Sequence, residues 1–264
     1  MPDHKTVIIT GASRGIGAGL VEAFLKQGYN VVATSRNVSQ QLTASTDLVL
    51  VDGDIGKPET AAKVVDAAIK NFGSIDVLVS NAGIFFTKPF TEFSTADFNA
   101  LVSTNLLGFL YITQLTVKQM LKEKSGSIVS ITAALADQPI LGVNGSVPMI
   151  TKGGLNSIIR SLAIEYAKQG IRFNAVAPGV VDTPMHKDSP KDFLKTLQPN
   201  GKNRGRKRCC RRCSLPRPGR SSNRRGAPRG RRCARRLLVT PDKTERDSSI
   251  GDKDDKLSEH QRSS

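Results

Sequence analysis

Residues 6–17 read TVIITGASRGIG, a β-branched run followed by a glycine-rich turn and the first residues of a helical pattern. The run has the composition of a buried strand. Three glycines follow it in the spacing Gly-x3-Gly-x-Gly, at Gly11, Gly15 and Gly17. Glycines allow a tight turn and a close approach to a pyrophosphate, whose charge the N–H groups of a helix N-terminus neutralise. The stretch predicts a dinucleotide-binding loop, because an ordinary strand-to-helix turn does not require these glycines.

Short apolar runs and helical patterns alternate through the first 183 residues. Continuous apolar strands separated by helices indicate a parallel sheet that is covered on both faces. Right-handed crossovers then predict an α/β fold with a doubly wound parallel sheet, Rossmann-like and three-layered. The predicted strands are Thr6–Thr10, Asn30–Thr34, Asp47–Val51, Asp76–Ser80, Gly126–Thr132 and Ile171–Ala177, and the predicted helices are Ile16–Gln27, Pro58–Phe72, Thr95–Lys122 and Val147–Gln169.

Charge divides the 264-residue chain into two parts. Residues 201–264 hold 21 of the 39 Lys and Arg, 7 of the 23 acidic residues and all four cysteines, so most of the net charge of +16 lies there. The sequence therefore predicts a dinucleotide-binding domain over 1–198 and a basic tail over 199–264 that is disordered because it cannot form a core. With no run that reads as a membrane span and a strand starting near the N-terminus, a cytoplasmic protein is expected.

Several motifs together resemble those of the short-chain dehydrogenase/reductase family. The loop TGASRGIG is similar to the family's glycine loop, and Asp54-Ile55 resembles the pair that holds the adenine. Ser80-Asn81-Ala82-Gly83 resembles the family's NNAG motif, and Asn105 matches the Asn of the long helix. Lys152 matches the Lys of the YxxxK motif, and Pro178-Gly179 with Thr183 matches the segment that contacts the nicotinamide. The resemblance spans residues 5 to about 198.

The resemblance implies hydride transfer between a nicotinamide and an alcohol or carbonyl of a small-molecule substrate, in a homo-oligomer. It assigns no metal, no membrane and no specific nucleic acid. Together with Arg36, the implied cofactor-binding residues are Gly11, Ser13, Arg14, Gly15, Ile16, Gly17, Asp54, Ile55, Asn81, Ala82, Gly83, Lys152, Pro178, Gly179 and Thr183, and the candidate catalytic residues are Asn105, Lys152 and Thr132.

The choice between NADP and NAD is argued from charge. The second predicted strand ends Ala33-Thr34-Ser35-Arg36, with no acidic residue that would bond a ribose 2′-hydroxyl and repel a 2′-phosphate. Arg14 and Arg36 carry two guanidiniums suited to holding a phosphate. The sequence favours NADP and leaves NAD open, since the alternative interpretation of Arg36 is a solvated surface residue.

The family's proton-donating Tyr is replaced in this chain. The residue four positions before Lys152 is Pro148, which has no proton to give. The family's Ser at the end of the fifth strand aligns with Ala133, and the neighbouring Thr132 and Ser146 are alternatives to it. Losing a general acid costs about 10²–10⁴ in rate. We expect an impaired oxidoreductase, and the alternative is an NADP-binding protein without activity.

Three explanations compete for the basic segment 201–236, which holds 16 Lys and Arg and no acidic residue. The first is a nucleic-acid arm, since neutralising phosphates needs only positive charge. The second is a zinc site at Cys209, Cys210, Cys213 and Cys233, which have irregular spacing and no nearby His. The third is a change of reading frame in the coding sequence.

Codon degeneracy supports the third explanation. One permitted codon choice for Asn223–Arg236, read one base later, encodes TGEVLHVDGGAHAG, which resembles the family's last strand. In the same shifted frame, Arg206–Pro216 can encode EKDVVDDAVYL, which resembles the preceding helix. Two matches in family order favour a frame change near Asn200–Asn203, after which the final strand of the fold is missing. The outer edge of the sixth strand is then expected to lack a partner strand, which makes it prone to aggregation.

Overall fold

A computed structural model describes residues 4–184 together with two short strands further along, Arg204–Gly205 and Arg236–Leu237. Six parallel strands form the sheet in the order β3-β2-β1-β4-β5-β6, with a short ninth strand beyond β6. The strands are β1 Thr6–Thr10, β2 Asn30–Ser35, β3 Leu48–Asp52, β4 Val77–Ser80, β5 Gly126–Ile131, β6 Ile171–Val176, β7 Val181–Asp182, β8 Arg204–Gly205 and β9 Arg236–Leu237. The predicted doubly wound α/β fold is confirmed.

Helices cover both faces of the sheet, so its strands are apolar on both sides. One face packs Ile8, Leu78 and Ile128 of the strands against α2, α4 and α5. The other face packs Val7 and Ile9 against α1. The helices are α1 Gly15–Leu25, α2 Pro58–Phe72, α3 Thr95–Leu101, α4 Gly108–Glu123 and α5 Ser146–Glu165.

The predicted helix Thr95–Lys122 contains an irregular turn. A π-helical segment, Val102–Leu107, joins α3 to α4 and contains the buried Asn105. Such segments are uncommon and often occur at functional sites. The other main discrepancy is the end of α5, which stops at Glu165 and is followed by a 3₁₀ turn at Ala167–Gln169.

The helical stretch Thr95–Glu123, which includes the π-helical segment, is long and apolar. An 18-residue window within it has a mean hydropathy of 1.4, enough by length and composition to cross a membrane. However, 44% of that window is buried inside the protein, and helices in soluble cores pass the same test. The helix is therefore weak evidence for a membrane span.

The edge beside β6 also differs from the expectation that it is unpaired. Strand β9 pairs antiparallel with β6, with Ala175 opposite Leu237 and Val176 opposite Arg236. Strands β7 and β8 pair in parallel as a separate two-stranded sheet. The covering of β6 described by the structure is two residues long, and the rest of 199–264, including all four cysteines, lies outside the described residues.

Candidate functional site: a cavity at the carboxyl ends of the strands

A cavity of about 1190 Å³ opens at the edge of the sheet where the parallel strands end. Ligands of doubly wound folds bind at this edge. One end of the cavity lies over the turn after β1, and the other end lies beside β5 and α5. Predicted site residues that line it are Gly11, Ser13, Arg14, Gly15, Ile16, Arg36, Asp54, Ile55, Asn81, Ala82, Gly83, Thr132, Lys152, Pro178, Gly179 and Thr183.

The glycine turn is held to the start of the neighbouring loop. The backbone N–H groups of Asn81 and Ala82 each donate to Thr10 Oγ1 at 3.0 Å. The Asn81 side-chain amide donates to the carbonyls of Thr10, at 2.9 Å, and Gly11, at 3.1 Å. The Asn81 side chain, predicted as a cofactor contact, therefore braces the turn that lines the cavity.

Two glycines of the turn have no room for a side chain. Gly11 has φ +64°, and a Cβ there would lie 2.8 Å from Ala82 Cα. A Cβ on Gly17 would lie 2.0 Å from the carbonyl oxygen of Gly11. Gly17 does not line the cavity; it lets α1 pack directly under the turn.

The Arg36 end of the cavity is polar and cationic. Arg36 follows β2, and Arg14 is the N-cap residue of α1. Ser35, Asn37, Gln40 and Gln41 line the same part of the cavity, and no motif pointed to the two glutamines. Asp52, at the end of β3, accepts hydrogen bonds from the backbone and hydroxyl of Ser39, which hold this loop and lower the pKa of the Asp52 carboxyl.

Asp54 and Ile55 follow β3 and line the wall next to this loop. The Asp54 carboxylate accepts from the backbone N–H of Gly56 at 2.9 Å. Ile55 is buried, and a Cβ on Gly108 would lie 2.8 Å from its Cγ2. The close approach of α4 therefore fixes the position of this wall.

A buried polar network lies at the opposite end. Lys152 of α5 donates from Nζ to the carbonyl oxygen of Ile131, at the end of β5, at 3.0 Å. Asn105 accepts from the backbone N–H of Ile84 at 2.9 Å and donates to the Ile84 carbonyl at 3.1 Å. Asn105 also donates to Thr151 Oγ1 at 2.9 Å. Asn105, on the π-helical segment, thus links the loop after β4 to α5 through hydrogen bonds. Asn105 itself is buried and does not line the cavity.

Lys152 is the most strongly perturbed group at this end. Its side chain is 8% exposed, and burial lowers the pKa of its ammonium from 10.5 to about 8. A Cβ at Gly83 would lie 3.1 Å from both Lys152 Nζ and Asn105 Oδ1. The missing side chain at Gly83 therefore leaves the Lys152 ammonium room at the cavity wall.

Pro148 lies in the first turn of α5, where backbone N–H groups have no partner within the helix, so the proline ring is tolerated. Its carbonyl oxygen accepts from Thr151 Oγ1 at 2.8 Å. Pro148 is buried and does not line the cavity, and none of Tyr29, Tyr111 and Tyr166 lines it. No phenol among the described residues replaces the absent Tyr.

Thr132 lines the cavity directly after the residue that accepts from Lys152. It is 3% exposed, and its hydroxyl has no hydrogen-bond partner among the described residues. A buried hydroxyl without a partner is costly unless a ligand or water satisfies it. The exposed Ser146, the other alternative from the sequence, does not line the cavity.

The wall between these ends combines predicted and unpredicted residues. Pro178 accepts from the backbone N–H of Ala134 at 3.0 Å, and Thr183 lies 3.6 Å from the position of a Cβ on Gly15. Unpredicted apolar residues that line this side are Ile84, Phe85, Phe86, Leu135, Pro139, Ile140 and Val180. Met185 and His186, which follow Thr183 in the sequence and are expected to border the substrate pocket, lie outside the described residues.

Comparison with known proteins identifies the family of this chain. The short chain dehydrogenase family model matches residues 5–193. A 3-oxoacyl-[acyl-carrier-protein] reductase, FabG, of Buchnera aphidicola is 34% identical over 201 residues, covering 73% of this chain and 80% of the relative. A 3-oxoacyl-[acyl-carrier-protein] reductase of Bos taurus is 33% identical over 203 residues, covering 75% and 84%.

Solved structures share the fold at comparable coverage. ElxO with NADP bound has a TM-score of 0.73 and 29% identity, over 79% of this chain and 89% of that chain. A 3-ketoacyl-(acyl-carrier-protein) reductase of Brucella melitensis complexed with NADH has a TM-score of 0.74 and 26% identity, over 80% and 90%. The chain therefore belongs to the short-chain dehydrogenase family, whose homologues are NAD(P)-dependent oxidoreductases.

Proposed function

We propose that this chain binds NADP(H) and transfers hydride between its nicotinamide and the carbonyl or alcohol carbon of a small apolar substrate, at a rate reduced by Pro148. The observation that carries the proposal is the cavity itself, which has a side-chain-free turn at one end and the buried Lys152 at the other. A cytoplasmic location and a homo-oligomeric assembly stay predictions of the sequence.

The described residues fit a dinucleotide. Gly11 and Gly17 leave space for a close approach to the turn, and the N-terminus of α1 presents backbone N–H groups there. Asp54 and Ile55 offer a wall for the adenine. The relatives of known structure hold NADP in one case and NADH in another, so the choice of NADP rests on Arg14 and Arg36.

The chain's own residues would orient the reaction as follows. Lys152, held by Ile131, supplies N–H donors for the nicotinamide ribose, and Thr132 supplies an unpaired hydroxyl for a substrate oxygen. Phe85, Phe86 and the neighbouring apolar side chains exclude water from the reacting carbon. The bound nicotinamide supplies the hydride chemistry.

The apolar wall favours a neutral, apolar substrate. Phe86 stacks on Phe93 with ring centroids 5.7 Å apart, and Lys88 lies 5.8 Å from the Phe86 ring centroid. Asp137 is the one acidic side chain that the described lining contributes on this side, and it disfavours anionic substrates. Apolar aldehydes and ketones are therefore the first compounds to test.

Titration of the full chain with NADPH, followed by NADPH consumption with a panel of apolar carbonyls, tests the proposal. We expect saturable binding and slow consumption. Gly17→Ala should abolish binding because its Cβ would overlap the Gly11 carbonyl. Gly153→Ala is the matched control, since a Cβ at Gly153 meets nothing within 4 Å.

Two results would contradict the proposal in different ways. No binding of NADPH or NADH removes the function altogether. Tight binding without turnover on any carbonyl or alcohol leaves the alternative, an NADP-binding protein without activity.

We also infer that the chain beyond about residue 200 is the product of a shifted reading frame. The two frame-shifted matches in the sequence support this inference. The nucleotide sequence across codons 195–240, read again from its source, tests it; codons that encode no family-like helix and strand when read one base later would overturn it.

A further inference from the structure

The cavity offers few groups that can give up a proton near neutral pH. Of the described residues that line it, five carry ionisable side chains: Arg14, Arg36, Asp54, Asp137 and Lys152. A guanidinium does not release its proton in proteins, and carboxylates act as acceptors at neutral pH. Among the described lining residues, Lys152 is therefore the one group suited to donate a proton.

We propose that the Lys152 ammonium is itself the proton donor to the substrate oxygen in this chain, in the place of the phenol that Pro148 does not provide. The inference rests on the proposed function, because it assigns a step of that same reaction. It gives Lys152 a role beyond holding a ribose.

The position of Lys152 Nζ supports this role. One of its three N–H donors is used by the carbonyl of Ile131, at 3.0 Å, which leaves others for the cavity. The next residue after Ile131 is Thr132, which lines the cavity, so the Lys152 ammonium is held at the cavity wall.

The helix keeps Lys152 in place although the residue four positions before it is a proline. Thr151 donates to the Pro148 carbonyl at 2.8 Å and accepts from Asn105 at 2.9 Å. The first turn of α5 is therefore fixed to the π-helical segment. The substitution removes the phenol without releasing the lysine.

The electrostatic surroundings suit an acid. Burial, with no contribution from a described charged group, lowers the pKa of Lys152 to about 8. Charged groups that the described structure places on α5 or on elements packed against it, or in the cavity wall, are Arg160, Glu165, Lys168, Asp97, Arg172, Asp137, Asp54, Arg14 and Arg36, and none forms an ion pair with Lys152. General acids work best when their pKa is close to the operating pH.

The step balances with a reduced dihydronicotinamide as the reductant. The carbonyl carbon gains hydride and forms a C–H bond, while the C=O π pair moves to oxygen. That oxygen takes the proton from Nζ, and the N–H bond breaks to leave a neutral amine. The carbonyl is reduced by two electrons, the dihydronicotinamide is oxidised by two, and the amine regains its proton from water.

Chemical rescue tests the proposal in the full chain. Lys152→Ala is expected to lose turnover by about 10²-fold or more. Methylammonium should restore part of it, whereas tetramethylammonium, which carries the charge without a proton, should not. Lys168→Ala, at an exposed lysine after α5, is the control and should behave like the unaltered chain.

Two further measurements separate proton donation from ribose binding. Lys152→Arg keeps the charge and the donors, so NADPH binding, followed by fluorescence, should persist while turnover falls as in Lys152→Ala. In the unaltered chain, carbonyl reduction should fall about tenfold per pH unit above about 8. The Tm of the unaltered chain should also rise relative to Lys152→Met between about pH 8 and 10.5, because the unfolded chain holds this proton more tightly.

Three outcomes overturn the inference. Turnover in Lys152→Arg at the level of the unaltered chain, equal rescue by both ammonium ions, or a rate that is flat from pH 7 to 10 would each exclude Lys152 as the donor while leaving the proposed function standing. Absence of any turnover in the unaltered chain would overturn both.

Discussion

The two halves of the sheet differ in how completely they are built for one reaction. In the amino-terminal half, residues 4–83, hydrogen bonds from Asn81 to Thr10 and Gly11 hold the glycine turn, and Gly17 packs under it. In the carboxyl-terminal half, residues 84–184, Lys152 and Asn105 are in place, but position 148 carries a proline and Thr132 has no partner.

On the proposed function, this difference makes cofactor binding and proton transfer separable in this architecture. The turn and its braces depend on β1, β2 and β4, which form the middle of the sheet and do not involve α5. The phenol that the family resemblance implies would stand at one position in the first turn of α5, which Pro148 occupies. On the proposed function, this proline changes the chemistry without disturbing the glycine turn.

Restoring the reading frame after about residue 200 should have the largest effect. A full strand beside β6 would replace the two-residue pairing with β9 and bury further apolar side chains. Burial of two large apolar side chains stabilises by about 3–6 kcal/mol, which corresponds to a rise in Tm of roughly 6–20 °C. Thermal melting of both versions measures it, and equal Tm values would show that the edge is not the weak point.

Pro148→Tyr should have the next largest effect, and we expect that effect to be confined to the carboxyl-terminal half. A phenol four residues before Lys152 should raise turnover by about 10²–10⁴. NADPH affinity should change little, because the hydrogen bonds that hold the glycine turn do not involve position 148. Pro148→Phe, which has the same bulk without the hydroxyl, is the control; a comparable gain with Phe would mean that the ring and not the proton matters.

The order and type of the elements were predictable because they follow from local pattern. Thr6–Thr10 and Pro58–Phe72 were predicted with the bounds that the structure has. The cofactor end was predictable because Gly11, Asp54 and Asn81 each follow a strand, and parallel strands bring their carboxyl ends together. The roles of these residues stay predictions.

What the sequence missed depends on contacts between distant segments. No motif in the sequence marks Phe85 and Phe86, and the place of Phe86 in the cavity wall goes with its packing on Phe93. The pairing of Val176 with Arg236 joins residues 60 apart in the chain, which no local pattern encodes. Asn105 was placed on the long helix, whereas its bond to Thr151 arises from the π-helical segment.

Arg36→Leu tests the amino-terminal half and its expected preference for NADP. A charge-assisted hydrogen bond contributes about 1.5–3 kcal/mol, so NADPH binding should weaken roughly 10- to 100-fold while NADH binding changes little. Arg160→Leu, at an exposed position on α5 away from the cavity, is the matched control. Equal loss of affinity for NADPH and NADH would mean that Arg36 does not contact a 2′-phosphate.

The smallest effect concerns Lys88 and Asp97, which hold the loop that carries Phe85 and Phe86. Lys88 Nζ lies 2.7 Å from the Asp97 carboxylate, and hydrogen bonds from Lys88 and Ser94 lower the pKa of Asp97 from 3.8 to about 2. A lowered carboxyl pKa stabilises the fold above pH 3.8, and this contribution is lost as the pH falls through about 2. The pair is partly exposed, so salt screens it.

Lys88→Met should therefore lower Tm slightly at neutral pH in low salt, and the difference should narrow both at pH 2 and in 1 M salt. Because the loop belongs to the carboxyl-terminal half, the KM for an apolar carbonyl should rise while the NADPH Kd stays constant. Thermal melting and steady-state kinetics measure the two quantities. A parallel rise in the NADPH Kd would show that the two halves are coupled through this loop. Cofactor binding would then not be independent of the carboxyl-terminal half.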